Sequence, residues 1–297
     1  MWVILAFISA VFNGCYDISK KMAVNNNAIL SVLFFSTLFA FLLLLPIALI
    51  SHFFPEFIIN STFYIPKLSI ETHGYIFIRA AIIVTAWLLG YSALKRLPIT
   101  ITGPINATRP VMTLLLAVVI FGERLNLYQW IGVLMTIISL FLLSSSSQKE
   151  GIKFSKNKWI FFAFLGALIG SLSELYEKFL MQQFSVVAVQ FWTSLYQCVI
   201  ITIVLALSYS KQKPFFFTFK WSILCIALFL LLTDFVYLHA LTYTGAMISI
   251  ISLVRRSSVL VSFAGGVLFF KEKNLKAKIV DLVLIIVGMF FLFLGTL

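Results

Sequence analysis

The sequence predicts an all-α integral membrane protein of ten transmembrane helices, arranged as two inverted five-helix repeats. Three observations lead there. The 297 residues are 62% hydrophobic and 11% charged, with a mean hydropathy of +1.08, whereas a soluble domain holds roughly 45–50% apolar residues. Ten apolar runs are long enough to cross a bilayer. The two halves of the chain also echo each other.

The runs lie at about 1–22, 28–50, 74–94, 98–121, 127–145, 158–181, 186–209, 220–241, 246–270 and 276–295. None shows the ten-residue alternation of a membrane barrel. The first, "MWVILAFISAVFNGCYDISKKM", lacks the basic start and small-residue cleavage site of a signal peptide, which predicts a retained helix. Between His52 and His73 two prolines mark a surface or interfacial loop. "SSSSQKEGIKFSKNK" is polar and basic, and it divides the chain nearly in half. The predicted units are 1–146, a linker at 147–157, and 158–297.

The repeat shows in paired segments. "SALKRLPITITGPINATRPVMTLLLAVVIFGERLNLYQWIGV" matches "HALTYTGAMISIISLVRRSSVLVSFAGGVLFFKEKNLKAKIV", with a small gap. Each has an Ala-Leu pair, a spanning run with central arginine, and a glutamate just beyond it, Glu123 or Glu272. The opening helices match too, with Asp17/Lys21 and Glu174/Lys178 each four apart. A repeat of five helices must insert in opposite orientations.

The net charge of +12 reads as membrane topology rather than nucleic-acid affinity. Lys20, Lys21, Lys95, Arg96, the 149–158 lysines, Lys211, Lys213, Lys220 and the 271–278 lysines all fall on one face of a ten-helix path. The positive-inside rule makes that face cytoplasmic in the cell's inner (plasma) membrane, with both termini outside.

Other function classes lose support. Cys15, Cys198 and Cys225 lie in separate runs without ligand spacing, and His52, His73 and His239 are scattered. No nucleophile elbow, phosphate loop or sizeable soluble domain occurs, so neither an enzyme nor a cofactor or metal is expected.

"PINATRPVMTLLLAVVIFGERLNLYQWIGVLMTIISLFLL", with Pro110, Glu123 and Gly132, resembles the EamA-type repeat of the drug/metabolite transporter superfamily, and the likeness covers nearly the whole chain. In the second copy Glu272 remains, but serine or valine stands at the proline position. The resemblance implies secondary transport, commonly export, of a small metabolite. It also implies cytoplasmic termini, against the charge pattern here. Related four-helix proteins imply the alternative of a flippase or carrier for polyprenyl-phosphate-linked substrates.

Membrane charges mark the candidate site. Arg109 lies about eleven residues into its run, and Arg255 and Arg256 lie roughly 14 Å into theirs, near the midplane. Each costs on the order of 2.5–3.5 kcal/mol to insert. Asp234 is the expected partner for one arginine. Three central arginines against one comparably deep carboxylate leave positive charge at the repeat interface, which predicts a small anionic metabolite held by guanidinium. Gln190, Ser194 and Gln197 form a polar face at i, i+4, i+7, and Trp87 and Tyr91 are expected to line the same space. Asp17, Lys21, Glu174, Glu177 and Lys178, near the helix ends, are expected as interfacial ion pairs, gates or proton carriers. Asn126 and Gln129 read as a capping pair. Lipid and a small molecule are the expected partners, and internal duplication removes the need to dimerise.

Overall fold

The computed structural model describes residues 2–59, 61–121, 125–148, 156–181, 183–209, 217–241, 254–255, 257–270 and 275–295. Twelve helices occur among them, and no strand does. In order they are α1 (Trp2–Val24), α2 (Ile29–Phe53), α3 (Pro55–Ile58), α4 (Ile70–Arg96), α5 (Ile99–Ala107) and α6 (Arg109–Phe121), then α7 (Leu127–Gln148), α8 (Lys158–Met181), α9 (Val186–Tyr209), α10 (Trp221–Leu241), α11 (Ser258–Phe270) and α12 (Leu275–Leu294). Four stretches, Ile29–Phe53, Ile70–Arg96, Lys158–Glu177 and Val186–Ser208, are long and apolar enough to cross a membrane. Leu127–Leu143, Trp221–Tyr237, Ser258–Phe270 and Ile279–Leu294 are shorter apolar helices. Much of the run expected at 246–270 lies outside the described residues before Val254, as do Glu123 and Glu272.

One expected run divides. The 98–121 stretch is two helices meeting at Thr108, whose amide and hydroxyl both turn back to the Ile105 carbonyl, at 3.2 and 2.7 Å. Pro110 is the cause, because it has no N–H to continue the α5 ladder and its ring crowds the preceding turn. The break leaves Arg109 as the first residue of α6. At the start of α7, Gln129 N–H donates to Asn126 Oδ1 (2.9 Å) and Asn126 N–H donates to Gln129 Oε1 (3.0 Å), the reciprocal cap read from their spacing.

Helices pack across the midpoint of the chain in reciprocal pairs. α1 lies on α10 and α8 on α4, α2 on α9, α5 on α11, and α7 on α12. Water drives no association inside a bilayer, so close backbone approach and interhelical hydrogen bonds must do so. A Cβ at Gly14 would fall 2.3 Å from Val261 Cβ, and one at Gly265 would fall 2.3 Å from Ile18 Cδ1, so α1 and α11 interlock in both directions. Gly132 and Gly288 make the same kind of crossing between α7 and α12. Ser9 Oγ donates to the Thr233 carbonyl (3.0 Å) and Ser139 Oγ to the Asp281 carbonyl (2.8 Å).

Lys95, Arg96, Lys158 and Lys220 collect at one end of the bundle. Lys95 Nζ donates to the Asn27 carbonyl and Lys220 Nζ to the Asn25 carbonyl, each at 2.6 Å. Arg96 and Lys158 sit over the Trp159 ring at 5.2 and 5.0 Å. At the other end Asn126 Nδ2 reaches the Gly295 carbonyl (2.6 Å). Phe63, in the loop before α4, stacks on Phe235 there, with ring centroids 5.2 Å apart.

Candidate functional site

Among the described residues, four ion pairs lie along and between the helices. Arg255 donates to Asp234 Oδ1 at 2.5 Å, and its guanidinium stands 4.4 Å from the centroid of the Tyr237 ring. Asp234 therefore meets one of the paired arginines, as expected. Arg256 lies outside the described residues.

Arg109 faces α8. Its Nη1 lies 3.6 Å from Glu174 Oε1, the widest of the four pairs. Gly170, one turn before Glu174, makes room, because a Cβ there would fall 2.7 Å from Arg109 Cζ. Ser171 Oγ donates to the Arg109 backbone carbonyl (3.3 Å), holding the start of α6 against α8.

The third pair uses a cation that the reading of the sequence passed over. Arg79, on α4, is 7% exposed. Its Nη2 donates to Glu177 Oε1 and its Nη1 to Thr193 Oγ1, both at 2.7 Å, so one side chain ties α4 to α8 and α9. Its Nε is buried with no hydrogen-bond partner among the described residues. Glu174 and Glu177 are spaced i, i+3 on one side of α8, and this spacing lets one helix receive arginines from both α6 and α4.

The fourth is Asp17. Lys20 Nζ lies 2.5 Å from Asp17 Oδ1, and Ser262 Oγ of α11 donates to Asp17 Oδ2 at 3.1 Å. Lys21, the partner expected from the four-residue spacing, instead extends its ammonium to the Leu94 carbonyl (2.5 Å) and the Leu97 carbonyl at the end of α4. Those carbonyls are the unsatisfied acceptors of a helix C-terminus, where a cation is favoured. Glu177 takes Arg79, and the Lys178 side chain lies outside what is described.

Glu174 and Glu177 bring two of these pairs together on α8. This arrangement corrects one expectation. Glu174 and Glu177 each meet an arginine from another helix, so these two carboxylates are not confined to interfacial pairs on their own helix. Of the three arginines behind the expected positive surplus, Arg109 and Arg255 each meet a carboxylate, and Arg256 lies outside the described residues.

The remaining candidates lie on α4 and α9, which pack together. Tyr91 is buried and Trp87 half-buried around the cluster that includes Tyr16 and Val84. On α9, Gln197 is buried, and Ser194 Oγ turns back to the Gln190 carbonyl at 2.9 Å. His73, read from the sequence as one of three scattered histidines, has its Nδ1 2.9 Å from the Tyr196 hydroxyl, and its ring meets Trp192 edge-on at 4.5 Å. Among the described residues no three His, Cys, Asp or Glu gather as a metal site would require.

Two comparisons bear on this arrangement. Residues 1–145 match the model of the EamA-like transporter family. A protein of Archaeoglobus fulgidus described as an uncharacterized transporter is 29% identical over 275 residues, spanning 90% of this chain and 88% of its own length.

Proposed function

We propose that this chain, whose residues 1–145 match the EamA-like transporter family and which is similar over 90% of its length to a protein described as a transporter, is a membrane transporter of the drug/metabolite transporter superfamily that moves a small anionic metabolite by alternating access. Two inverted five-helix units rock about the charged interior, and export is the direction that the family resemblance implies. The observation carrying the reading is the set of interhelical ion pairs in an apolar bundle. Charges this deep are costly unless they are paired or functional. The reciprocal packing of α1 on α10 and α8 on α4 supports two related units, and α7 against α12 supplies a support outside the charged interior.

Arg109 is the residue best placed to meet the cargo. Its contact with Glu174 is the loosest of the four pairs, so a substrate carboxylate or phosphate can take the guanidinium while Glu174 accepts a proton. Asp17 and Asp234 are the other proton carriers in this scheme. A counterflow screen of carboxylate and phosphate metabolites in proteoliposomes, with and without a pH gradient, tests it. Arg109→Ala should weaken transport by about 2–5 kcal/mol of lost pairing, at least about thirtyfold. Arg109→Lys should recover only part, since it restores charge without the planar fork. Correctly inserted Arg109→Ala that transports an anion at the wild-type rate would overturn the assignment. Transport confined to polyprenyl-phosphate-linked species would assign the chain to lipid translocation instead.

The basic end faces the cytoplasm in this scheme, in the plasma membrane, and one chain suffices for function. The support is the clustering of Lys95, Arg96, Lys158 and Lys220 with the positive-inside rule. Ser147→Cys, at the end of α7, should resist an impermeant maleimide added outside intact cells and react after permeabilisation. Ready labelling from outside reverses the orientation.

A further inference from the structure

Lys20 stands one turn before the end of α1, about 27 Å along the helix, within a flexible side chain's reach of the basic end. Long amines near helix ends ordinarily extend to water. This one turns inward and is 15% exposed. Its Nζ lies 2.5 Å from Asp17 Oδ1, 4.1 Å from the Tyr16 ring centroid and 5.8 Å from that of Tyr91. Both tyrosines are more than nine-tenths buried. Ser262 Oγ holds the second carboxylate oxygen at 3.1 Å, and Asn13 Nδ2 donates to Ser258 Oγ at 2.9 Å, fixing α1 against α11 beside the site.

The ammonium group is therefore held as proteins hold ammonium ligands. A carboxylate neutralises the charge and accepts an N–H, and aromatic faces cover the rest through their negative quadrupole. Three helices contribute, with Tyr16 and Asp17 from α1, Tyr91 from α4 and Ser262 from α11. Nothing in the cage depends on the lysine backbone, so a free primary ammonium presents the same three donors.

We propose that Asp17, Tyr16 and Tyr91 form a binding site for a small primary ammonium group, which Lys20 fills as a tethered stand-in and vacates by extending toward the basic end. Calling that ammonium part of the cargo rests on reading the charged interior as the transport path, whereas the binding site itself does not. Occupation by Lys20 keeps the carboxylate paired when no ligand is present and sets a threshold that a free amine must exceed.

The test is ligand-induced thermal stabilisation of the purified full-length protein in detergent, with n-butylammonium chloride titrated against sodium chloride. Lys20→Met removes the tethered competitor but keeps an apolar stem. It should respond at butylammonium concentrations at least about tenfold lower than wild type requires, because the intramolecular competitor is gone. Adding Asp17→Asn should abolish the response. If Lys20→Met does not purify as a monodisperse protein, Lys20→Gln carries the same comparison. A lysine-free variant that is no more sensitive than wild type overturns the proposal, and so does sensitivity that survives Asp17→Asn. Binding is read without transport, so failure here and failure of anion counterflow are separate results.

Discussion

Glu177→Ala should destabilise the protein by about 3–5 kcal/mol, the cost of stranding a buried charge. Arg79 is the group left behind. It is 7% exposed and partway along α4, with Thr193 as its other side-chain partner. The reverse substitution should cost less. After Arg79→Met, the Glu177 side chain, 42% exposed, can be solvated or take up a proton. The asymmetry is the signature of burial on one side of the pair only. Arg79→Met combined with Glu177→Met should recover much of the loss, since two apolar groups leave no orphaned charge. Unfolding in mixed micelles with increasing sodium dodecyl sulfate measures all three. Equal costs for the two single variants, or a Glu177→Ala cost below about 1 kcal/mol, would show the pair to be a solvated surface contact.

Why Arg79 escaped the sequence reading has a physical answer. It stands in "IETHGYIFIRAAIIV", only five residues into the run read as 74–94, or roughly 8 Å at 1.5 Å per residue. The helix begins earlier, at Ile70, which puts Arg79 nine residues along it, roughly 14 Å. That is the depth that singled out Arg255, and it shows only once the start of α4 is known. Hydropathy made the membrane class legible, and Pro110 carried the information for the break at Thr108. Asp234 as an arginine partner was legible from depth alone.

Partner choice across helices was not legible, because it depends on which faces meet. Asp17 has lysines at both i+3 and i+4, and spacing alone supports either. The structure places Lys20 against Asp17 and sends Lys21 to the end of α4. The i, i+4 relation of Tyr16 and Lys20 was available in sequence, yet a tyrosine beside a lysine gains meaning only when Tyr91 arrives from another helix. Likewise, Glu174 and Glu177 read as an interfacial patch until α4 and α6 supply their arginines.

The support on which two rocking units would turn can be tested away from the charges. Gly132→Leu should cost about 3 kcal/mol or more and part α7 from α12, the upper end of what overpacking does. A Cβ at Gly132 would lie 2.7 Å from the Gly288 carbonyl oxygen and 2.7 Å from Leu292 Cγ. The first is backbone, so it cannot rotate away, and the helices must separate. Even Gly132→Ala should destabilise, although alanine favours helix over glycine by up to about 1 kcal/mol. Gly288→Ala is the milder change, because its Cβ meets Thr136 Oγ1 at 3.0 Å and the Gly132 carbonyl at 3.1 Å. Ile138→Ala, on the exposed side of α7, should stay within about 0.5 kcal/mol of wild type. The ordering Gly132→Leu, Gly132→Ala, Gly288→Ala, Ile138→Ala is the expected result in the same micelle titration. If Gly132→Leu proved as stable as Ile138→Ala, α7 and α12 would not be in backbone contact at this crossing, and rocking about a fixed α7–α12 support would lose its basis.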